Sequence, residues 1–376
     1  MTPETGQLVA SVEAAQDTDP GLVDVRMSHL VEHLAARCAE PAVRARYKEY
    51  ANATGVTEAY PLDADGYAQT FDPLQEETEL FEAWQRYGVA VGSHVVPDKL
   101  CVSAVQKVHD TLQSLSDAQF YMDQPDTFDA MPIDSFGVPI LSRGFFEVYH
   151  DDVLAQLRQS LHLYLHHVIL WGQADLWTTF DRFGVKLPGH IESAALPLHV
   201  DQNPNFNPGF TTTQGVVALE DCPAERGTLR VAPGSKNYFA AYGRMAIGGG
   251  QYVELKLDDP VAEVLTNLAA PLPIRKGSVA SWDSRTTHAN SANISEQPRF
   301  VALISAGPAQ GSNRAAVTAR DKAFETGAGI NVRGALMHAS RRPRYSNESA
   351  LAAIRQPERL SLLGKLLYGQ VQYGHS

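Results

Sequence analysis

Four side chains in this sequence are of types, and at spacings, that can do chemistry together. His199 and Asp201 stand two residues apart in Leu198-His199-Val200-Asp201. On a strand, positions i and i+2 share a face, so an imidazole and a carboxylate spaced this way can reach one ion. A third candidate, His288, lies 87 residues after Asp201 and closes Lys276–His288, which reads as a turn, a strand and a histidine at the strand's end. Arg299 follows eleven positions later in Gln297-Pro298-Arg299-Phe300-Val301-Ala302, at the entry of an apolar strand. A guanidinium entering a buried strand is costly unless an anion awaits it. Its planar fork suits a dicarboxylate.

A second His-x-Asp triplet, in Tyr149-His150-Asp151-Asp152, opens an amphipathic helix. There Asp151 and Asp152 are expected to cap the first turn rather than bind metal. His162 and His166 are four apart on that helix, a chelating spacing, but they lack the glutamate of a HExxH zinc site and interleave with Leu161 and Leu165, so we assign them to structure. No Gly-x-Ser-x-Gly elbow occurs, and the glycine runs at 248–250 and 327–329 read as turns. Asn290 is placed to hydrogen-bond the dicarboxylate expected at Arg299 or to make a turn. Gln214 shares a strand face with Val216 and Ala218 and is expected to point toward the same dicarboxylate. Lys186 and Arg182 offer a second positive charge, although exposure is the commoner fate of such residues. Asp283 and Arg285 are expected to pair with each other, and Phe206 and Phe210 sit on the loop 202–213 that follows the first ligand pair.

Helices and strands must hold these residues. Residues 1–80 are helix-prone and acidic, with 15 acidic against five basic side chains, and form one expected unit. The stretch from Leu80 to Val96 reads as a helix running into a strand, and a helix follows over Pro97–Leu115. Leu154, Leu157, Leu161, Leu165 and Val168 recur at helical spacing and predict one amphipathic helix over Asp151–Trp171. Beyond it, short β-rich runs alternate with Gly, Pro and Asn turns. Strands are expected near Leu176–Phe180, Ala195–Val200, Gly215–Leu219, Thr228–Val231, Ser278–Trp282 and Phe300–Ser305. The class is mainly β with flanking helices (α+β), a jelly roll or another closed β architecture over residues 81–345. A helical tail occupies 346–376, with its helix near Ala350–Tyr368.

The chain has 376 residues and a net charge of −12, which disfavours phosphate backbones and anionic lipid, so neither nucleic acid nor membrane is an expected partner. No apolar run nears the roughly 20 residues of a membrane span. Cys38, Cys101 and Cys222 form no CxxC pair and are expected as thiols. With no leader pattern at Met1–Thr5, a cytoplasmic protein is expected. Arg314, Arg320, Lys322, Arg333, Arg341, Arg342 and Arg344 make a basic stretch, expected either to dock on the acidic N-terminal part or to clamp an anionic substrate.

The order His199-x-Asp201, distal His288 and then Arg299 resembles the phytanoyl-CoA dioxygenase family. So does Gly227-Thr228-Leu229-Arg230-Val231-Ala232-Pro233-Gly234-Ser235-Lys236, with Lys236 where that family commonly has histidine. The resemblance spans about Leu80 to Pro308. It implies a double-stranded β-helix (cupin-like) core, an Fe(II) ion on His199, Asp201 and His288, and Arg299 on the distal carboxylate of 2-oxoglutarate. Two imidazoles and one carboxylate leave adjacent coordination positions open for cosubstrate and dioxygen. The implied reaction releases succinate and carbon dioxide while a small organic substrate is hydroxylated or desaturated. Because Asp201 occupies the position that related halogenases leave free for chloride, halogenation is disfavoured.

Two other classes stay open on sequence grounds. One is a redox-inert metal-dependent isomerase or lyase on the same three ligands; the other is a non-catalytic β-barrel binding protein. The fold hosts many unrelated substrates, so the family name does not identify this one. The helical ends offer a surface for a homodimer.

Overall fold

The computed structural model describes residues 1–16, 19–116, 119–134, 137–189, 195–331, 340–341 and 359–374, with backbone alone at 51, 52, 340 and 341. Helices α1 (Pro3–Gln16), α2 (Pro20–Cys38) and α3 (Pro41–Asn52) open the chain. Asp19 caps α2 by accepting from the Gly21 and Leu22 amides, and Pro20 supplies the preset first turn. Val9, Val12, Leu30 and Leu34 bury against Leu161, Leu165 and Val168 and the C-terminal helix Leu362–Tyr368. Helix α4 (Glu77–Tyr87) stops at Gly88, whose φ of 65° is the left-handed turn that lets the chain swing directly into a strand.

Helix α5 (Asp98–Leu115) forms where expected. The helix expected over Asp151–Trp171 is instead two, α6 (Asp152–Arg158) and α7 (Leu161–Trp171). Ser160 breaks it: its backbone turns extended (ψ 127°) and its hydroxyl donates to the Val95 carbonyl, a long-range bond that holds the chain out of the helix.

Two antiparallel sheets of eight and five strands follow among the described residues, besides a two-stranded pairing of Gly329–Ile330 with Ser340–Arg341. The larger orders β1 (Val89–Gly92), β10 (Val279–Asp283), β6 (Thr213–Ala218), β12 (Arg299–Leu303), β4 (Phe183–Lys186) and β2 (Phe145–Phe146), with β13 (Ala306–Pro308) joining β6 to β3 (Leu176–Thr178). The smaller orders β8 (Val253–Glu254), β5 (His199–Val200), β11 (His288–Asn290), β7 (Leu229–Val231) and β9 (Ala270–Leu272). All six expected strand regions contain a strand. The one near Ala195–Val200 narrows to two residues.

Alternation along these strands sorts the side chains. Phe183, Val185, Val217 and Phe300 pack outward, beneath Cys101, Ala104 and Val108 of α5. Val216, Ala218, Ala280 and Val301 of the larger sheet share an inner cluster with Leu229 and Val231 of the smaller. Val200 and Ala289 face a third cluster behind the smaller sheet. His199 and His288 therefore lie on the opposite, inner face.

Strand β4 had no expected counterpart, and Arg182 and Lys186 are a correction. Both are buried, at 6% and 3% exposure, on the inner side of β4 rather than on an exposed surface. Glycine at 184 and charges at 182 and 186 hide the strand from a hydrophobic-pattern reading; the inner face is polar because a cavity lies there. In the basic stretch, Arg320 of helix Arg314–Thr326 is buried between Trp177 and Phe180 and donates to the Thr178, Leu367 and Tyr368 carbonyls. It docks on the core and the C-terminal helix, not on the acidic N-terminal helices. Arg333, Arg342, Arg344 and the side chain of Arg341 lie outside the described residues, as do positions 350–358 of the expected tail helix. Among the described residues no helix is long and apolar enough to cross a membrane.

Candidate metal centre

Strands β5 and β11 pair so that His199 and His288 are direct cross-strand partners. Their ring centroids are 4.4 Å apart. Asp201, one residue past the end of β5, returns to the same face. Its Oδ2 lies 3.9 Å from His199 Nε2 and 3.5 Å from His288 Nε2. A ligand atom from each residue falls within 4.8 Å of the others, the one such group among the described residues.

Both imidazoles are preset. His199 Nδ1–H donates to the Pro197 carbonyl at 2.8 Å and His288 Nδ1–H to the Thr286 carbonyl at 3.0 Å. Each ring is thereby held in the tautomer that leaves Nε2 as a lone-pair donor facing the other ligands. Tyr252 lies on the His199 ring at 4.6 Å and Trp282 on the His288 ring at 4.9 Å. Two nitrogens and one oxygen, held to one side, suit a transition metal with positions left open.

A cavity of about 470 Å³ opens beside this group. Arg299 and Lys186 stand in its wall as cross-strand partners. Arg299 is 2% exposed, donates from one Nη to the Gly227 carbonyl and to Asn290 Oδ1 (3.2 Å), and keeps a buried Nε–H with no partner. It has no carboxylate partner among the described residues. Gly184 makes room for it: a Cβ there would lie 2.8 Å from an Arg299 Nη and 2.7 Å from Val301 Cγ2. Lys186 donates to the Ser291 carbonyl at 2.7 Å. Burial first, and the Arg299 charge second, push its ammonium down to about 7. Burial likewise lowers Arg299. Two neighbouring buried cations carry an electrostatic cost that a bound anion would offset.

The remaining candidates fall into place as follows. Asn290 lines the cavity and orients Arg299. Gln214 also lines it, but its amide donates to Asp201 Oδ2 at 2.9 Å. Arg182 faces the cavity between Glu147 (3.1 Å) and Asp181 (3.5 Å). Asp283 and Arg285 pair at 2.6 Å, with the Tyr50 hydroxyl donating to the same carboxylate, away from the cavity. Phe210 stacks on Trp171 at 4.1 Å as packing, while Phe206 is exposed. Asp151 caps α6 through the Val153 amide, as its motif predicts. His162 pairs with Glu13 and His166 with Ser281, so the two do not share an ion. Trp282, Tyr252 and Gly184 were not legible as site residues. None carries a metal-ligating or charged group, and their place follows from strand pairing alone.

Residues 84–301 match the family model described as Phytanoyl-CoA dioxygenase (PhyH). No curated protein matches the chain. Among solved structures, a putative oxidoreductase from Salmonella typhimurium LT2 is 18% identical, with 98% of each chain covered and a TM-score of 0.58. A hypothetical protein JW0805 from Escherichia coli, at high pH, is 16% identical, with 97% of this chain and 94% of that one covered and a TM-score of 0.55. The epimerase SnoN, in complex with Fe3+, alpha ketoglutarate and nogalamycin RO, is 18% identical over 62% of this chain and 84% of its own, with a TM-score of 0.44. At these identities the likeness is one of fold, and the SnoN overlap is too loose to add to it.

Proposed function

This chain belongs to the phytanoyl-CoA dioxygenase family, and from that premise we propose that it is an Fe(II)- and 2-oxoglutarate-dependent oxygenase of a small organic molecule. The observation that carries this reading is that one cavity holds both a His199–Asp201–His288 ligand group and, in its wall, a buried arginine with an unpartnered N–H. A redox-inert metal site has no use for that second feature. The two facing sheets are read as the family's double-stranded β-helix.

In this reading His199 Nε2, His288 Nε2 and one Asp201 oxygen hold Fe(II). Arg299, oriented by Asn290, receives the far carboxylate of 2-oxoglutarate, and Lys186 adds a second positive charge at the same end. When bound, the metal and cosubstrate supply dioxygen activation coupled to release of succinate and carbon dioxide. The protein's part is to exclude bulk water and hold the substrate's C–H bond beside the metal, for hydroxylation or desaturation. The cavity, with Arg182, Glu147 and Asp181 on its wall, favours a polar small molecule over nucleic acid or lipid.

The test is direct. Protein with Fe(II), ascorbate and 2-oxoglutarate should form succinate slowly without added substrate, and anaerobically should develop the weak visible charge-transfer band of iron-bound 2-oxoglutarate. Absence of both, in protein shown to bind the metal, would favour a redox-inert enzyme.

A further inference from the structure

The hydrogen bonds around Asp201 continue outward through two residues that bear no metal-binding group. Gln214 is the second residue of β6 and Trp282 stands near the end of β10; the antiparallel register makes them direct partners. Backbone pairing already secures these strands, so a side-chain link between them is not needed to hold the sheet. Both side chains nevertheless point inward, 4% and 5% exposed, and join. Trp282 Nε1–H donates to Gln214 Oε1 at 3.0 Å, and Gln214 Nε2–H donates to Asp201 Oδ2 at 2.9 Å.

The chemistry of the donors gives this chain one direction. An indole N–H can only donate, so the amide oxygen must face Trp282 and the amide NH2 must face Asp201. Were the amide free to turn over, its oxygen would meet a carboxylate oxygen, two acceptors with no proton between them. The oxygen that Gln214 holds is also the one nearest both imidazoles, at 3.5 and 3.9 Å from their Nε2 atoms. The Trp282 ring meanwhile lies against His288, with centroids 4.9 Å apart. One indole thus bears on two of the three ligands, by its face on His288 and by its N–H, through Gln214, on Asp201.

We infer that Trp282 and Gln214 form a positioning relay that presets Asp201 Oδ2 for the metal. The inference rests on the metal assignment proposed above. Residues that orient a ligand in this way typically contribute 10–100-fold to metal affinity. Because the relay acts in series, breaking it once breaks it fully.

The test uses full-length protein freed of metal by chelation and titrated with Co(II), followed by its visible d–d absorption, with apo-protein Tm as the measure of fold. Gln214→Met keeps the length and removes both amide groups; Trp282→Phe keeps a ring against His288 and removes the N–H. Each is expected to weaken Co(II) binding roughly 10–100-fold. The apo-protein should stay folded, its Tm lowered by at most a few degrees for the one buried partner left unsatisfied. The double variant should bind no more weakly than Gln214→Met alone. Wild-type affinity in Gln214→Met, or losses that multiply in the double variant, would overturn the relay. If Gln214→Met does not fold, Trp282→Phe decides by the same criterion. Asp201→Ala in the same titration separates the two levels. Tight, unchanged binding there sinks the metal assignment itself, whereas loss there with none in Gln214→Met sinks the relay alone.

Discussion

Lys186 on β4 and Arg299 on β12 are direct cross-strand partners, two cations facing each other on a buried sheet surface. Like charges in this relation destabilise a sheet unless something of opposite sign sits between them. A dicarboxylate bound between them, as the proposed function requires, would offset that cost. With Lys186 pushed down to about 7, its amine is mostly neutral at pH 8, and an incoming dianion favours the charged form. Binding of 2-oxoglutarate at pH 8 should therefore draw in close to one proton. Calorimetry in buffers of different ionisation heat should show this in the wild type and not in Lys186→Met; identical heats in all buffers would contradict it.

Arg299→Ala removes one buried charge-assisted contact, worth roughly 1.5–3 kcal/mol. The KM for 2-oxoglutarate should rise about 10- to 150-fold, with metal binding unchanged. Arg299→Lys should recover only part of this, because a point charge cannot reproduce the planar fork. A KM that does not move would misplace the anchor.

Gly184→Ala tests the same pocket from its back wall. The added methyl would lie 2.8 Å from an Arg299 Nη and 2.7 Å from Val301 Cγ2, so the guanidinium must shift. Weaker 2-oxoglutarate binding with intact Co(II) binding is expected. Equal loss of both would mean that the strand, rather than the anchor, had been disturbed.

Asp201→Ala and His288→Ala should lose metal binding and turnover together while circular dichroism stays native, since neither side chain contributes to a hydrophobic cluster. Retained turnover in either would count against the centre.

His166 and His167 of α7 are buried and neutral, with His167 pushed down to about 3 by burial alone and His166 lowered chiefly by burial. An unfolded imidazole titrates near 6.5, so below that pH the unfolded chain binds more protons than the folded one. Stability should hold above about pH 6.5 and fall as pH drops toward 3. His167 alone predicts a loss of about 2 kcal/mol between pH 7.5 and 5. Urea midpoints at the two pH values measure it, and His167→Gln should flatten the dependence.

Much of this protein could be read from its residues before any coordinates. That His199 and Asp201 share a face follows from strand alternation, the candidacy of His288 and Arg299 from their company, and the capping role of Asp151 from its place before a helical pattern. The first pair and the cap obey local rules of a few residues' spacing; the gaps of 87 and eleven to His288 and Arg299 do not. What spacing could not express is who stands opposite whom. The buried strand β4 escaped notice because its inner face is glycine flanked by charged residues, which only a facing cavity makes sense of. The break at Ser160 depends on a carbonyl 65 residues away in sequence. The meeting of Lys186 with Arg299, of His199 with His288, and of Trp282 with Gln214 was decided by register between strands distant in the chain. Each of those encounters is set by the whole sheet rather than by the residues that meet.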